Sequence, residues 1–172
     1  MKYGIAIFPS EEIQNVANSY RKRYDPNYAL IPPHITLKEA FTADDETIKR
    51  IIAELKQIAR DMKPFTIQIN KVSSFAPVTN TLYFKIEPIQ ELTELHQKMH
   101  SDIFPGKSEH PFVPHITIAQ KLSDGEYADV SGILQMKKVE FEDSIDRFQL
   151  LQKSDNSPWN VIETFVFGEE NA

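Results

Sequence analysis

Apolar residues recur every three to four positions in three segments of the chain, which predicts three amphipathic helices. The first stripe follows Ser10, the expected N-cap, and comprises Ile13, Val16, Ala17, Tyr20 and Tyr24. The second stripe lies behind Thr42 and comprises Ile48, Ile51, Ile52, Leu55, Ile58, Ala59 and Met62. The third begins near Pro88, a residue suited to a first helical turn, and comprises Ile89, Leu92, Leu95, Met99 and Ile103.

Shorter segments between these stripes have the patterns of β-strands. Residues 3–8 are nearly continuously apolar, as in a central strand, whereas residues 65–70 and 82–86 alternate between apolar and polar side chains. Two further strands are predicted at 138–152, with a bend at Glu142 and Asp143, and at 161–167. Residues 123–135 have a weak pattern that fits a short helix. Strand patterns thus alternate with the helical ones along the chain.

The order of the elements suggests an internal duplication. In each half a strand is followed by a helix, a proline-containing loop and a segment that begins His-Ile-Thr. The separation from Tyr3 to His34 nearly equals that from Leu82 to His115. We therefore expect a single domain, 1–172, made of two similar lobes at approximately 1–79 and 80–172, and strand exchange between the lobes is compatible with this order.

Each half carries the same short motif, Pro-His-Ile-Thr followed by an aliphatic residue, at positions 33–37 and 114–118. Successive side chains of a strand point to opposite faces, so His34 and Thr36 share one face and the aliphatic residues share the other. The same holds for His115 and Thr117. One such motif is weak evidence for a site, but two at equivalent places of a repeat are a strong signal.

Composition narrows the chemistry. The 172 residues include no cysteine, which excludes disulfides, thiol catalysis and thiolate metal sites, and only five glycines, which makes a glycine-rich phosphate loop a poor expectation. The net charge of −6 argues against extended nucleic-acid binding but leaves room for a local positive pocket. No apolar run approaches the roughly 20 residues of a membrane-spanning helix. These features favour a cytoplasmic protein without a membrane partner.

Two histidines are suited to phosphodiester cleavage without a metal or other cofactor. Near neutral pH one neutral imidazole can remove a proton from the attacking water or hydroxyl, while an imidazolium donates a proton to the leaving oxygen. The two threonine hydroxyls add hydrogen-bond donors for the charge that develops on the phosphate oxygens. The motif pair therefore predicts one catalytic site that combines residues of both halves.

The paired motifs, in a chain of this length with this duplication, resemble those of the 2H phosphoesterase superfamily. That group includes the bacterial RNA 2′,3′-cyclic phosphodiesterases, formerly called 2′-5′ RNA ligases. The resemblance implies a bilobal α+β fold in which antiparallel sheets line a central cleft and helices pack on the outside. It also implies that His34 is the proton donor, that His115 is the proton acceptor, and that Thr36 and Thr117 bind the substrate phosphate. For a 2′,3′-cyclic phosphate the implied product is a 2′-phosphomonoester.

Further substrate contacts are weaker candidates. Lys38 and Lys121 follow the two motifs at the alternation parity of His34 and His115 and could neutralise a phosphate, although surface lysines are more often solvated. Tyr28 and Phe112 lie in the loops before the motifs and could stack on a base, with packing as the alternative. Tyr83, together with Lys85, lies on the polar face of its strand.

Three alternatives stay open at this level. The cleft could bind a phosphoryl ligand or an RNA end with little turnover, or it could join RNA ends by the reverse reaction. His96 and His100, four residues apart on the third helix, and the nearby His110 could instead ligate a metal in a hydrolase, but the sequence lacks the glutamate of the metalloprotease motif. The oligomeric state and the particular cyclic phosphate, a nucleotide, an RNA end or a related compound, are not encoded in these patterns.

Overall fold

Four helices and eight strands form within residues 1–106 and 111–168, the part of the chain that the computed structural model describes. The helices are α1 (Glu11–Tyr24), α2 (Asp45–Arg60), α3 (Gln90–Lys98) and α4 (Asp124–Gln135). The strands are β1 (Lys2–Ile7), β2 (Ile35–Thr42), β3 (Phe65–Ser74), β4 (Leu82–Ile86), β5 (His115–Ala119), β6 (Phe141–Ile145), β7 (Arg147–Lys153) and β8 (Asn160–Val166). None of these helices is long and apolar enough to cross a bilayer.

The described strands form one antiparallel sheet in the order β6-β3-β4-β5-β2-β1-β7-β8, which confirms the α+β fold class. Its two four-stranded halves are joined by a single residue pair, Ile35 of β2 opposite Ile116 of β5. Strand β3 pairs with β4 and β6, whereas β7 and β8 extend the half that contains β1. Each half thus combines strands from before and after position 80, and the two motif strands are neighbours at the centre.

The prediction of a single bent strand at residues 138–152 is wrong. The segment forms two strands, and the break falls at Asp146 rather than at Glu142 and Asp143. Strand β6 pairs with β3 at one edge of the sheet, while β7 pairs with β1 in the other half. The chain must therefore cross between halves at Asp146, and an alternating pattern that continues on both sides does not reveal the crossing.

The helix ends follow local capping chemistry. Ser10 is the N-cap of α1, as predicted, but α2 begins after Asp44, whose carboxylate accepts a hydrogen bond from Thr47 N at 2.7 Å. Thr42 belongs to β2. The third helix begins at Gln90, after Pro88, and ends at Lys98, so Ile103 lies beyond it. The weakly predicted fourth helix is confirmed and opens with a capping box between Ser123 and Glu126.

The helical stripes bury the aliphatic face of the central strands. Helix α1 packs against β5, and α3 contacts β2. The aliphatic members of both motifs are fully buried in this core: Ile35, Leu37, Ile116 and Ile118. Burial of each such side chain stabilises the fold by about 1.5–3 kcal/mol. Because the helices cover this face of β2 and β5, the histidines and threonines are left on the opposite face.

Candidate active site

The two motifs have the alternation that the sequence predicts. His34 and Thr36 are half-buried, whereas the intervening Ile35 is 0% exposed. His115 and Thr117 are half-buried in the same way around Ile116, also 0% exposed. The aliphatic residues therefore anchor each strand from one face, while the imidazoles and hydroxyls share the other.

Strand register brings the two motifs together. Ile35 lies opposite Ile116 in an antiparallel pair, so one further step along the register puts His34 opposite Thr117 and Thr36 opposite His115. The two histidines are then diagonal neighbours on one face, a relationship with a typical separation of about 7–8 Å. Each histidine accordingly has the hydroxyl of the other motif beside it. The pair of strands thus produces one composite site.

Matching hydrogen bonds orient the two rings. His34 Nδ1 lies 2.8 Å from the carbonyl oxygen of Pro32, and His115 Nδ1 lies 2.6 Å from that of Val113. A carbonyl oxygen only accepts, so Nδ1 carries the hydrogen in both rings. The neutral form of each imidazole therefore has its lone pair on Nε2, away from the loop that holds it.

Aromatic rings lie beside both histidines. The centroid of the His115 ring lies 5.0 Å from that of Phe75, with 90° between the ring planes. It lies 5.2 Å from the centroid of the Tyr83 ring, with 63° between the planes. The ring of His34 contacts Phe8 at 6.4 Å. These apolar walls restrict the rotamers of the imidazoles and remove water from them. The same removal of water disfavours the protonated form of each ring.

The charges around the rings differ. Burial lowers the pKa of His34 from 6.5 to about 4; the Pro32 carbonyl opposes this, the positive charges of Arg21 and His115 add to it, and the negative charge of Asp25 opposes it. Burial also lowers the pKa of His115, where the Val113 carbonyl and the negative charge of Glu39 oppose the shift. At His34 the lowering effect of Arg21 on the pKa exceeds the raising effect of Asp25, whereas the charge that acts on His115 is the negative one of Glu39, so His115 is favoured as the ring that carries a proton.

Replacing Glu39 by glutamine is expected to lower the pKa of His115 further, because the carboxylate that raises it is lost. The pKa of His34, on which Glu39 does not act, should stay near 4. Titration of the two imidazole resonances by NMR measures both values in one sample. An unchanged His115 titration in Glu39→Gln would show that the anion does not act on this ring.

An open cleft of about 270 Å³ lies over the half of the sheet that contains β1, β2 and β7. Three motif residues line it, His34, Thr36 and Thr117, whereas His115 is not among its lining residues. Its other lining residues include several that the motif search did not find: Arg21, Asp25, Asn27, Glu39, Gln120 and Trp159. Two signals in the sequence point to some of them. Glu39 and Gln120 each follow a motif histidine by five residues, and Trp159 is the only tryptophan of the chain.

Small residues leave room for the cleft. Gly4, Ala6 and Ala40 line it, and a Cβ atom on Gly4 would lie 3.6 Å from the ring of Trp159. Trp159 is half-buried, and its backbone N–H donates to the carbonyl of Leu30 at 2.9 Å. The indole ring is therefore held as part of the wall of the cleft.

A β-bulge changes the position of Lys38. Thr36 pairs with Ala6, but Lys38 pairs with Ile5, a core residue, so the bulge breaks the alternation that the sequence predicted between His34 and Lys38. The ammonium lies 5.9 Å from the ring centre of Phe41, and the side chain is 4% exposed. Burial lowers the pKa of Lys38, and Glu39 opposes this. Lys38 still borders the cleft.

The other weak candidates lie outside the residues that line the cleft. Tyr83 is buried opposite Thr117 and contacts the His115 ring, and Lys85 pairs with His115. Tyr28 is 41% exposed, with its ring 5.8 Å from the Arg21 guanidinium carbon, and Lys121 is exposed after the end of β5. Phe112 stacks on His96 at 4.0 Å.

The ring centroids of His96 and His100 lie 4.2 Å apart with the ring planes tilted by 35°, and His100 Nδ1 lies 2.8 Å from the carbonyl oxygen of His96. Burial, with the nearby positive charges of His100 and Lys38, lowers the pKa of His96 to about 4. Within residues 1–106 and 111–168, no group of three or more histidines and carboxylates is arranged to hold a metal ion. His110, the third residue of the metal hypothesis, lies outside the described residues.

Comparison with known proteins places this geometry in a family. The model of the 2′-5′ RNA ligase superfamily matches residues 9–157, which include both motifs. The chain belongs to this superfamily. The resemblance to 2H phosphoesterases seen in the two motifs is thereby confirmed, and the chain is an enzyme of the phosphoester-acting type that this superfamily comprises.

Close relatives of this superfamily member carry phosphoesterase names. A protein of Oceanobacillus iheyensis named as a candidate phosphoesterase is 59% identical over 170 residues, covering 99% of this chain and 100% of its own. One from Bacillus licheniformis with the same kind of name is 53% identical over 168 residues, covering 98% and 99%. Both relatives therefore match over the full site described above.

Solved structures share the fold at lower identity. Escherichia coli LigT complexed with 3′-AMP has a TM-score of 0.71 at 18% identity and covers 98% of each chain. The protein TT0787 of Thermus thermophilus has a TM-score of 0.73 at 20% identity and covers 99% of this chain and 100% of its own. These similarities show the superfamily fold over nearly the whole chain.

Proposed function

We propose that this protein hydrolyses a cyclic phosphodiester, a 2′,3′-cyclic nucleotide or RNA end or a related cyclic phosphate, by general acid–base catalysis with His34 and His115 and without a metal. One observation carries the proposal. Two imidazoles on adjacent strands have the same Nδ1-to-carbonyl bond, and each lies beside a threonine of the other motif. This arrangement supports one proton transfer on each side of a single phosphorus atom.

The reaction has one proton transfer at each side of the phosphate. The Nε2 lone pair of one imidazole takes a proton from water, whose oxygen forms a bond to phosphorus while the bond from phosphorus to the 3′ oxygen breaks. The other, protonated imidazole gives its proton to that 3′ oxygen. The products are a 2′-phosphomonoester and a free 3′ hydroxyl, and the two rings have exchanged protonation states. Thr36 and Thr117 donate hydrogen bonds to the non-bridging oxygens.

The two rings need not share the roles equally. The resemblance implies His34 as the donor and His115 as the acceptor. The charges in the ligand-free protein favour the opposite order, because Arg21 lowers the pKa of His34 and Glu39 raises that of His115. A bound phosphate anion raises the pKa of both rings, so the order is decided in the complex with substrate.

Trp159 is the wall residue best suited to a nucleobase. It is half-buried and lines the cleft with Thr36, and its ring lies 3.6 Å from where a Cβ atom on Gly4 would be. An aromatic face binds any base by stacking. The net charge of −6 disfavours a long polyanion as the substrate, so a single nucleotide or an RNA end fits this wall better. E. coli LigT, which has the same fold, has been crystallised with 3′-AMP and with ATP.

Replacing Trp159 by alanine is expected to raise KM for a cyclic nucleotide by about 5- to 150-fold, the equivalent of ~1–3 kcal/mol of stacking per base. The value of kcat should change little, because stacking on the base contributes to binding in the ground state and the transition state alike. Trp159→Phe, which keeps an aromatic face, is the matched control and should recover most of the affinity. Equal KM values for the alanine variant and the wild type would exclude a stacking role.

The function itself is tested with a panel of 2′,3′-cyclic nucleotides and an RNA oligomer ending in a cyclic phosphate, with products resolved by phosphorus NMR. We expect 2′-phosphomonoesters, in the presence and absence of EDTA. Tight binding without product would instead support a phosphoryl-ligand or RNA-end binding module. Activity that EDTA abolishes and zinc restores would favour a histidine-ligated metal hydrolase, and joined RNA ends would favour ligation.

A further inference from the structure

A buried polar network lies beneath the loop that precedes His34. Arg21, 2% exposed near the end of α1, forms an ion pair with Asp25 at 3.0 Å. The same Asp25 carboxylate accepts a hydrogen bond from Gln120 Nε2 at 2.8 Å and another from the backbone of Asn27 at 2.8 Å. Gln120 follows β5 directly, and its backbone N–H donates to the carbonyl of Tyr24 at 3.1 Å. The network therefore ties α1 to the end of the second motif strand.

The same network reaches the first histidine. Arg21 Nη2 donates to the carbonyl of Ile31 at 2.6 Å, and the next residue, Pro32, supplies the carbonyl that holds His34 Nδ1 at 2.8 Å. The path thus runs from Gln120 through Asp25, Arg21 and the 31–32 backbone to His34. It connects the strand that carries His115 with the hydrogen bond that orients the His34 ring.

Arg21 borders the cleft, but four of its five guanidinium N–H donors already have protein acceptors. Its Nε atom donates to Asp25, Nη1 to Asn18 at 2.7 Å, and Nη2 to the carbonyls of Ile31 and, at 3.4 Å, Asn27. The planar guanidinium therefore holds the loop that precedes His34 against α1. Its separate Nε and Nη2 donors reach Asp25 and the loop carbonyls at the same time, which the point charge of a lysine does not do.

We propose that Arg21, Asp25 and Gln120 are positioning residues: they fix the His34 loop against β5 and so set the tautomer and the separation of the two imidazoles. The expected effect of these residues on catalysis rests on the proposed function. Its structural part, the control of the His34 ring, does not depend on activity. A displacement of about 1 Å at a catalytic group is enough to lower a rate by about 100-fold.

The decisive variant is Gln120→Met, which keeps the length of the side chain but cannot donate to Asp25. We expect kcat to fall by roughly tenfold or more with KM changed by less than about threefold, because the substrate still binds but meets a displaced base or acid. In long-range ¹H–¹⁵N NMR spectra, the His34 ring should change from a single Nδ1–H tautomer to a mixture of both. Arg21→Lys should have the same two effects, since an ammonium cannot bridge Asp25 and Ile31.

Two controls separate positioning from general destabilisation. Asp44→Ala removes the N-cap of α2, far from this network in the chain, and Asn18→Ala removes an Arg21 contact that is not on the path to His34. Both should retain the His34 tautomer and kcat. A folded Gln120→Met protein that keeps the Nδ1–H tautomer would overturn the proposal. If the wild type proves inactive on the whole substrate panel, the proposed function fails, and the NMR spectra still decide whether the network positions His34.

Discussion

Alanine at His34 or at His115 is expected to lower kcat for a cyclic phosphodiester by about 10²- to 10⁴-fold each, the usual contribution of one proton transfer. The two rings act in a single displacement at one phosphorus, so the double variant should lose little more than the poorer single variant. Removal of a ring also removes a bond to Pro32 or Val113, but each of these loops has other anchors. The fold should therefore persist.

The measurement is kcat and KM for each variant, with circular dichroism and thermal unfolding to verify folding. Asp44→Ala, which removes the N-cap of α2 and leaves both imidazoles and their neighbours unchanged, is a suitable control. If either histidine variant retains wild-type turnover, the two-histidine mechanism is wrong.

The same variants decide which ring is the acid. A nucleoside p-nitrophenyl phosphodiester has a leaving group that needs no proton, so the variant lacking the acid should recover most of its activity on it. The variant lacking the base should stay inactive on both substrates. Recovery in His115→Ala would make His115 the acid, as the charges around the ligand-free rings favour. Recovery in His34→Ala would make His34 the acid, as the resemblance implies.

Replacing Arg21 by methionine is expected to lower the free energy of unfolding by about 3–5 kcal/mol, because it leaves a buried carboxylate without its partner. Both side chains of the Arg21–Asp25 pair are 2% exposed, so water cannot replace the lost guanidinium. The carbonyl of Ile31 also loses its donor at 2.6 Å. No surface ion pair among the described residues should have a comparable effect, since exposed pairs contribute about 0–1 kcal/mol.

Urea unfolding followed by fluorescence of Trp159 provides the measurement. Arg21→Met/Asp25→Asn is the informative companion, because the neutral amide keeps an acceptor for the Asn27 N–H and the buried charge is gone. This double variant should recover a large part of the loss. A single variant within about 1 kcal/mol of wild type would show that Asp25 finds another partner or is hydrated.

The periodic segments were predictable because their signal is local. The stripe from Ile48 to Met62 and the alternation around Ile67 depend on a helix or strand burying one side, and the structure contains both. The bent strand at 138–152 could not be predicted correctly in the same way. Its two parts alternate similarly, and only their pairing with β3 and β1 at different places in the sheet separates them.

The residues of the site also differ in whether a local pattern predicts them. His34, Thr36, His115 and Thr117 were found because the motif is repeated and strand alternation fixes which side chains share a face. Arg21, Asp25 and Gln120 were missed because their relationship spans 95 residues between Asp25 and Gln120. Lys38 shows the converse, since one β-bulge altered the face that simple alternation assigned to it.

The sequence by itself determined most of the elements and the four residues of the two motifs, because propensity, periodicity and repetition are properties of short segments, and the α+β class came from the resemblance that those motifs carry. Only the tertiary structure decided that Ile35 and Ile116 pair, that the two histidines consequently share one face, and that Arg21 and Glu39 give them different electrostatic surroundings. Strand order and burial arise from contacts between distant segments. For that reason they fix the pKa values and orientation of the same histidines that the motif alone could only identify.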